Sequence, residues 1–172
     1  IRRKPASQKG VLQPIPKSHF NNVVFMDIKV MAKSPSDEYN AYLVIVEGFS
    51  KLLTLVPLKT RSTAEVISAF FTQYCCKHGV PEQIITDKEG AFTSRPAKEL
   101  YHLLGIKKKQ TVSYRPQADG QSEIFVKMSK NILASVLLYT EQSGGTDNRW
   151  HLRLPLVEYV LNSTPSTTTG LS

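Results

Sequence analysis

The segment NNVVFMDIKVM, residues 21–31, alternates as a β-strand does, but it carries an aspartate at its centre. The alternation predicts one face with Val24, Met26, Ile28 and Val30, and another with Phe25, Asp27 and Lys29. A carboxylate inside an apolar strand is costly if it is desolvated without a partner. Two ordinary explanations stay open: the Asp27 side of the strand is exposed, or a lysine pairs with the carboxylate.

The segments around this strand predict more of a sheet. AYLVIVEGF (41–49) and LLTLVPL (52–58) read as second and third strands, with KSPSDEYN (33–40) as a turn before them. Because the links are short, we expect an antiparallel meander. Two further strand patterns follow later in the chain, EQIITD (82–87) and IKKKQTVSY (106–114).

Helical patterns separate and follow the later strands, over 61–81, 94–105, 122–139 and 150–162. Ser62 and Glu65 have the spacing of a capping box at the first helix, and Gly79 marks its end. Ser94 is the candidate cap of the second. This order predicts an α/β fold, a mixed five-stranded sheet with helices on both faces. It is the order of the ribonuclease-H-like architecture, which at this point is one option among several.

Charge and composition limit the function. The 172 residues suffice for one domain, and the net charge is +8. The excess is local: residues 95–130 hold eight Lys/Arg against three Asp/Glu, and residues 1–20 hold five against none. Such patches attract polyanions, although a solubilising surface would look the same. The sequence contains no run of about 18 apolar residues, so it predicts no membrane-spanning helix.

The chain divides into an arm and a domain. Residues 1–20, with three prolines, are expected to form an extended arm or linker, and residues 21–172 the folded domain. The adjacent Cys75 and Cys76 match neither a disulfide nor a zinc finger, which favours a reduced, intracellular setting.

Two more carboxylates occupy notable positions. Asp87 ends a short apolar strand pattern, where open α/β sheets place their sites, although taken singly a plain turn aspartate is the favoured interpretation. In the 122–139 helix, Phe125, Met128, Ile132 and Val136 share one face, and Glu123, Lys127 and Lys130 share the other. Taken alone, that second face could be a solvated one with an i,i+4 ion pair.

Considered together, the three acids predict a metal site. Asp27, Asp87 and Glu123 lie on three separate elements that the proposed sheet could bring together. Closely packed carboxylates repel each other unless cations neutralise them, and Mg²⁺ prefers carboxylate oxygens. Two such ions, about 3.5–4 Å apart, can clamp the attacking and leaving oxygens of a phosphoryl transfer.

The spacing and surroundings of these acids resemble a known family. Thirty-five residues separate Asp87 from Glu123, as in the Asp, Asp-35-Glu triad of integrases. IITDKEGAFTS (84–94), YRPQADGQSE (114–123) and YLVIVEGFSK (42–51) resemble family motifs in the family's order. The linker VLQPIPKS (11–18) and the closing segment 150–172 are similar too. The chain therefore resembles the catalytic core of retroviral and LTR-retrotransposon (gypsy-type) integrases over nearly its whole length.

The resemblance implies a function and a set of residues. We expect 3′-end processing and DNA strand transfer by a divalent-metal-dependent polynucleotidyl transferase with endonuclease activity, using two Mg²⁺ or Mn²⁺ ions per active site. The implied ligands are Asp27, Asp87 and Glu123. The implied DNA-binding residues are Tyr114, Arg115, Gln117, Gln121, Lys127 and Lys130.

The resemblance also implies partners and a setting. These are retroelement DNA ends, target DNA, further copies of the chain and a host chromatin factor, without a membrane. The expected location is intracellular, in the nucleus and in cytoplasmic virus-like particles. Residues 1–20 would be the linker from an N-terminal zinc domain.

Some positions differ from the family pattern, which keeps two alternatives open. Arg115 replaces a histidine, Glu47-Gly48 stands where the family has Asp-Arg, and Ile124 replaces an arginine. Asp119 and Glu89 are competing acids that lack the matching spacing. The alternatives are a domesticated DNA-binding scaffold without catalysis and another ribonuclease-H-like nuclease.

Overall fold

A computed structural model describes residues 19–31, 38–110, 127, 131, 134 and 149–163. In this part of the chain one sheet has the strand order β3-β2-β1-β4-β5. The strands are β1 (Val23–Val30), β2 (Ala41–Glu47), β3 (Leu53–Leu58), β4 (Gln83–Thr86) and β5 (Lys107–Gln110). The first three are antiparallel, whereas β4 runs parallel to β1 and β5 parallel to β4. The predicted meander and mixed five-stranded sheet are confirmed.

The alternation of β1 divides the core as expected. Val24, Met26 and Ile28 belong to one buried cluster, and Phe25 belongs to another on the opposite face of the sheet. The centre of the sheet is therefore apolar on both faces. Asp27 lies on the Phe25 side of the strand, because side chains two residues apart point the same way.

Helices α1 (Thr63–Phe70), α3 (Gly90–Thr93) and α4 (Arg95–Leu103) cover the Val24 face of the sheet. A π-helical turn, Phe71–Cys75, and the short α2, Cys76–His78, extend α1. Their buried residues include Phe70, Tyr74, Phe92 and Tyr101. Cys75 is buried and Cys76 exposed, and both are free thiols, as expected.

The cap of α1 differs in part from its prediction. Ser62 Oγ accepts the Glu65 N–H at 3.3 Å, as a capping box requires. The Glu65 carboxylate does not return to the Ser62 N–H, however. It accepts the N–H groups of Lys59 at 2.7 Å and Thr60 at 2.8 Å instead. The backbone N–H groups of the preceding loop point towards this carboxylate and bind it in place of the Ser62 N–H.

The opposite face is covered by a 3₁₀ turn, Trp150–Arg153, and by α5 (Leu154–Ser163). Trp150, Leu154, Val157 and Leu161 pack against Phe25, Tyr42 and Val44 of the sheet. Helices therefore lie on both faces, which confirms the predicted arrangement of layers. None of the described helices is long and apolar enough to cross a membrane.

Helix α5 also protects the edge of the sheet at β3. Asn162 Oδ1 accepts the Leu53 N–H and its Nδ2 donates to the Leu53 carbonyl, both at 2.8 Å. Glu158 accepts the Leu55 N–H at 2.7 Å. The next outward position is Pro57, which has no N–H to offer. Side chains of the helix thus replace a neighbouring strand and leave little edge for another chain to pair with.

A polar network fixes where β1 and β4 begin. Asn21 adopts a positive φ of 62°, and its side chain accepts the Tyr74 hydroxyl at 2.6 Å. Its carbonyl accepts the Glu82 N–H at 2.9 Å, and its own N–H donates to Glu47 at 3.2 Å. These bonds join the starts of the two parallel strands, which helps to set their register.

Some predictions fall on residues that are not described. The arm over residues 1–18, most of the 33–40 turn and the 114–123 loop are among these. Of the helix predicted over 122–139, Lys127, Asn131 and Ala134 are helical and exposed. All three lie on the side that the sequence pattern places away from the apolar stripe, in agreement with that prediction.

Candidate active site

The register of the parallel strands brings two of the predicted acids together. Met26 of β1 is paired with Thr86 of β4, so Asp27 and Asp87 follow at equivalent positions on neighbouring strands. Adjacent strands lie about 4.8 Å apart. The Asp27 side chain is 32% exposed and Asp87 is exposed. The edge of the sheet that the sequence indicated therefore presents two accessible carboxylates side by side.

Asp27 is both partly exposed and paired. Lys29 Nζ lies 2.7 Å from Asp27 Oδ2. The two side chains project from the same face of β1, because they are two residues apart. Both ordinary explanations for a carboxylate in this strand thus hold, and neither removes the carboxylate from solvent.

The Asp87 carboxylate is oriented by the backbone that follows it. Its Oδ1 accepts the Glu89 N–H at 2.9 Å, a local side-chain-to-backbone bond typical of turn aspartates. The Thr86 hydroxyl donates to the Asp87 carbonyl at 2.9 Å. Asp87 is therefore a turn residue as well as a site candidate, and its turn bond fixes one carboxylate oxygen just before α3 begins.

Glu89 contributes a third acid to this edge. Partial burial raises the pKa of its carboxyl group, and the nearby Asp87 and Asp27 charges raise it further. Arg61, from the loop before α1, opposes this shift and lies 3.6 Å from Glu89. The electrostatics therefore place three carboxylates within range of each other, although spacing alone excluded Glu89 from the predicted triad.

Lys108 braces the segment behind the two aspartates. Its Nζ donates to the Phe92 carbonyl of α3 and lies 5.6 Å from the centre of the Tyr101 ring. Burial lowers the pKa of this ammonium, the neighbouring Lys98 lowers it further, and the Asp87 charge opposes both. Strand β5 is thus tied to the helix that follows Asp87.

The described residues of the site offer oxygen ligands that suit a hard divalent cation. Asp27 and Asp87 offer carboxylate oxygens on adjacent strands, which is the ligand type that Mg²⁺ and Mn²⁺ prefer. Within the described residues, no three His, Cys, Asp or Glu side chains form a group that could hold a metal ion. The third predicted ligand, Glu123, lies outside the described residues.

Most of the predicted DNA-binding residues also lie outside the described part of the chain: Tyr114, Arg115, Gln117, Gln121 and Lys130. Lys127 is described, and it is helical and exposed. Its accessibility agrees with a binding role, which stays a prediction.

Comparison with known proteins assigns the family. The sequence model of the integrase core domain matches residues 17–116, more than half of the chain. The chain belongs to this family. The resemblance inferred from the triad spacing and the surrounding motifs is therefore confirmed.

Relatives of this integrase core include retrotransposon proteins. It is 40% identical over 116 residues to the Transposon Tf2-3 polyprotein of Schizosaccharomyces pombe (strain 972 / ATCC 24843). That match covers 66% of this chain and 9% of the polyprotein, so the chain spans only a small part of its relative's length.

Solved structures confirm the ribonuclease-H-like fold of this integrase core. The HTLV-2 integrase catalytic core domain, in complex with magnesium in a trimeric form, aligns with a TM-score of 0.69 at 22% identity. The alignment covers 88% of this chain and 93% of that one. The catalytic core domain of BIV integrase aligns with a TM-score of 0.68 at 20% identity, over 88% and 90% of the two chains.

The sequence left open a lysine partner for Asp27 without identifying it, and it did not indicate the other cations around the acids of this integrase core. Lys29, Arg61 and Lys108 each lie close to one of the carboxylates or brace its neighbourhood. The strand alternation already placed Lys29 on the Asp27 side, and that signal could have identified it. Arg61 and Lys108 gave no comparable signal, because tertiary packing alone brings them to this edge.

Proposed function

We propose that this integrase core catalyses 3′-end processing and DNA strand transfer as a divalent-metal-dependent polynucleotidyl transferase. One observation carries the proposal: the register pairs Met26 with Thr86, so that Asp27 in β1 and Asp87, directly after β4, follow at equivalent positions. Both carboxylates are accessible, and the chain belongs to the integrase core domain family. Accessible acids in a basic protein suit an enzyme that must hold both DNA and metal ions.

The acids and the residues around them have distinct roles in this proposal. Asp27 and Asp87 would hold a shared Mg²⁺ or Mn²⁺ ion, and Glu123 would complete a second site. When bound, the ions would supply an activated oxygen nucleophile and neutralise the charge that develops at phosphorus. The pleat of β1 aims Asp27, the Glu89 N–H orients Asp87, and Lys108 holds α3 in place behind it.

The proposed substrates are the DNA ends of a retroelement and a target DNA duplex. The net charge of +8 supports binding to a polyanion, and Lys127 offers an exposed ammonium on its helix. We include Tyr114, Arg115, Gln117, Gln121 and Lys130 in this DNA-binding role. Base contacts and phosphate contacts of these residues would differ in their salt dependence.

Assembly and location follow from the same activity. We propose that the core forms homo-oligomers, which the trimeric form described for the HTLV-2 core supports. Insertion into a host genome would place it in the nucleus, together with a host chromatin factor, after formation of a cytoplasmic virus-like particle.

The Asp87→Asn variant tests the proposal. It keeps the side-chain size and the Oδ1 acceptor of the Glu89 N–H bond, but it removes the charge that a divalent cation needs. We expect joining of DNA ends in magnesium to fall by at least about 10²–10³-fold. The matched control is Glu82→Gln, because Glu82 is an exposed acid just before the opposite end of β4.

The two variants separate the possible outcomes. Unchanged joining by Asp87→Asn would refute the catalytic assignment, whereas equal loss in both variants would indicate a structural effect. If the wild-type protein cleaved RNA–DNA hybrids and did not catalyse strand transfer, it would instead be a different ribonuclease-H-like nuclease.

A further inference from the structure

Lys29 occupies the place at Asp27 where a cation binds. Its Nζ lies 2.7 Å from Asp27 Oδ2, and the two side chains are 34% and 32% exposed. Residues two apart on a strand are separated by about 6.6 Å along its axis. The long Lys29 side chain bends back over that distance to reach the carboxylate, so this ion pair lies at the carboxylate edge rather than in the core.

An ammonium and a divalent cation compete for the same carboxylate oxygen. The ammonium only donates hydrogen bonds, whereas Mg²⁺ needs the oxygen lone pair at about 2.0–2.1 Å. The two positive charges would also repel each other at that separation. Metal binding through Asp27 Oδ2 therefore favours the departure of Lys29 from that oxygen.

The exchange is feasible because the ion pair is accessible to water. An exposed pair of this kind shifts an equilibrium by no more than about fivefold. A divalent ion that also binds Asp87 on the neighbouring strand gains more than that, since it contacts two carboxylates at once. The geometry thus gives a weak internal cation that a stronger external one can replace.

We propose that Lys29 is a built-in competitor of the metal ion: it neutralises Asp27 when no metal is bound, and it turns to a phosphate of bound DNA when metal takes its place. This inference rests on the proposed function. The displaced ammonium has a flexible four-carbon stem and would lie beside the reacting phosphodiester. Lys29 is therefore a positioning residue that couples metal binding to DNA binding.

The chain offers a matched control for this pair. Lys59 Nζ lies 2.8 Å from Glu38 Oε2, and their side chains are 52% and 63% exposed. This pair is also a lysine–carboxylate pair of similar length, although it is more exposed, and Lys59 follows β3 at the edge of the sheet, two strands from β1. Replacing Lys59 removes the same charge without freeing an oxygen at the candidate active site.

The first measurement is Mn²⁺ binding without DNA, by calorimetry or by the electron paramagnetic resonance signal of free Mn²⁺. We compare wild type with Lys29→Met, Lys29→Arg and Lys59→Met at about 0.15 M salt, where distant charges are screened. Lys29→Met should bind Mn²⁺ about threefold to fivefold more tightly. Lys29→Arg and Lys59→Met should stay within about twofold of wild type.

The second measurement is DNA binding at saturating Mn²⁺, by fluorescence anisotropy with a short duplex. Lys29→Met should bind the duplex more weakly and with a shallower salt dependence, and Lys29→Arg should restore both. A purely structural role would not tighten metal binding while weakening DNA binding. Thermal unfolding of each variant checks that the fold is intact.

The outcomes separate this inference from the proposed function. Unchanged or weaker Mn²⁺ binding by Lys29→Met would overturn the competitor role, while the metal site would still stand if Asp27→Asn lost Mn²⁺ binding. If neither Asp27→Asn nor Asp87→Asn altered Mn²⁺ binding, the metal site and the proposed function would both be wrong.

Discussion

Two acids on neighbouring strands of this sheet, Glu47 and Asp27, have opposite environments. Glu47 ends β2 opposite Val24 and is completely buried. Its carboxylate accepts the N–H groups of Asn21, Phe49 and Ser50 at 3.2, 3.0 and 2.6 Å, and the Ser50 hydroxyl at 2.7 Å. Asp27, three residues along β1, is about one-third exposed and pairs with one lysine.

The difference shows how a carboxylate becomes available for chemistry. Backbone N–H groups around Glu47 are fixed by the fold, so its oxygens are satisfied and nothing else can reach them. The partner of Asp27 is an ammonium on a flexible side chain, which another cation can displace. Glu47 therefore stabilises the turn between β2 and β3, whereas the Asp27 carboxylate remains accessible to an external ligand.

Removal of each carboxylate should separate these two roles. Glu47→Ala leaves three partly buried N–H groups without the buried carboxylate that accepts them, and it should lower the free energy of unfolding by about 3 kcal/mol or more. Asp27→Asn should lower it by less than about 1 kcal/mol, because its ion pair with Lys29 is partly exposed to water. Urea unfolding measures both changes. Similar losses in the two variants would refute the distinction.

The protected edge of the sheet provides a smaller test of the same idea. Asn162 satisfies the N–H and the carbonyl of Leu53 with fixed geometry, as Glu47 satisfies its turn. Asn162→Ala should therefore destabilise the fold by about 1–2 kcal/mol. Tyr159→Ser is the control on the same helix, since Tyr159 is 69% exposed, and it should change stability by less than about 0.5 kcal/mol.

Loss of edge protection should also favour association between chains. Light scattering of Asn162→Ala at rising concentration would detect it. An Asn162→Ala variant as stable and as monodisperse as Tyr159→Ser would show that α5 does not protect β3.

The Glu158 carboxylate is intermediate between those of Glu47 and Asp27. It accepts a single backbone N–H, that of Leu55. Burial raises the pKa of its carboxyl group above the ordinary 4.5, and the Leu55 N–H only partly offsets this. Because the folded state holds the proton more tightly, its contribution to stability is greatest below pH 4.5 and declines as the pH rises through the raised pKa.

Unfolding measured from pH 4.5 upward should show this decline, superimposed on the other titrations. Glu158→Gln should flatten that part of the profile, since glutamine does not titrate. A profile that coincides with wild type throughout this range would mean that Glu158 is not desolvated by α5.

Local patterns predicted the main elements of this fold well. The alternation of β1, the short links of the meander and the caps at Ser62 and Ser94 all depend on neighbouring residues, which a sequence displays directly. The spacing of Asp27 and Asp87 around apolar strands likewise indicated that the two acids would meet, because parallel strands end at the same edge of a sheet.

The remaining features depend on tertiary competition, which no local pattern shows. Glu65 bonds to the Lys59 and Thr60 backbone because the loop folds over it, and the π-helical turn at Phe71–Cys75 arises within an otherwise ordinary helical pattern. Arg61 reaches Glu89 from a distant loop in the same way. The short helix α3 was not predicted, since four residues carry too little periodicity.

A crystal soaked in Mn²⁺ and measured for anomalous scattering tests most directly whether Asp27 and Asp87 share a metal ion. We predict an anomalous peak about 2.0–2.3 Å from an oxygen of each carboxylate, with Lys29 Nζ withdrawn from Asp27 Oδ2. A Mn²⁺-saturated crystal with no peak between these two side chains, and with the Lys29–Asp27 pair intact, would contradict the account.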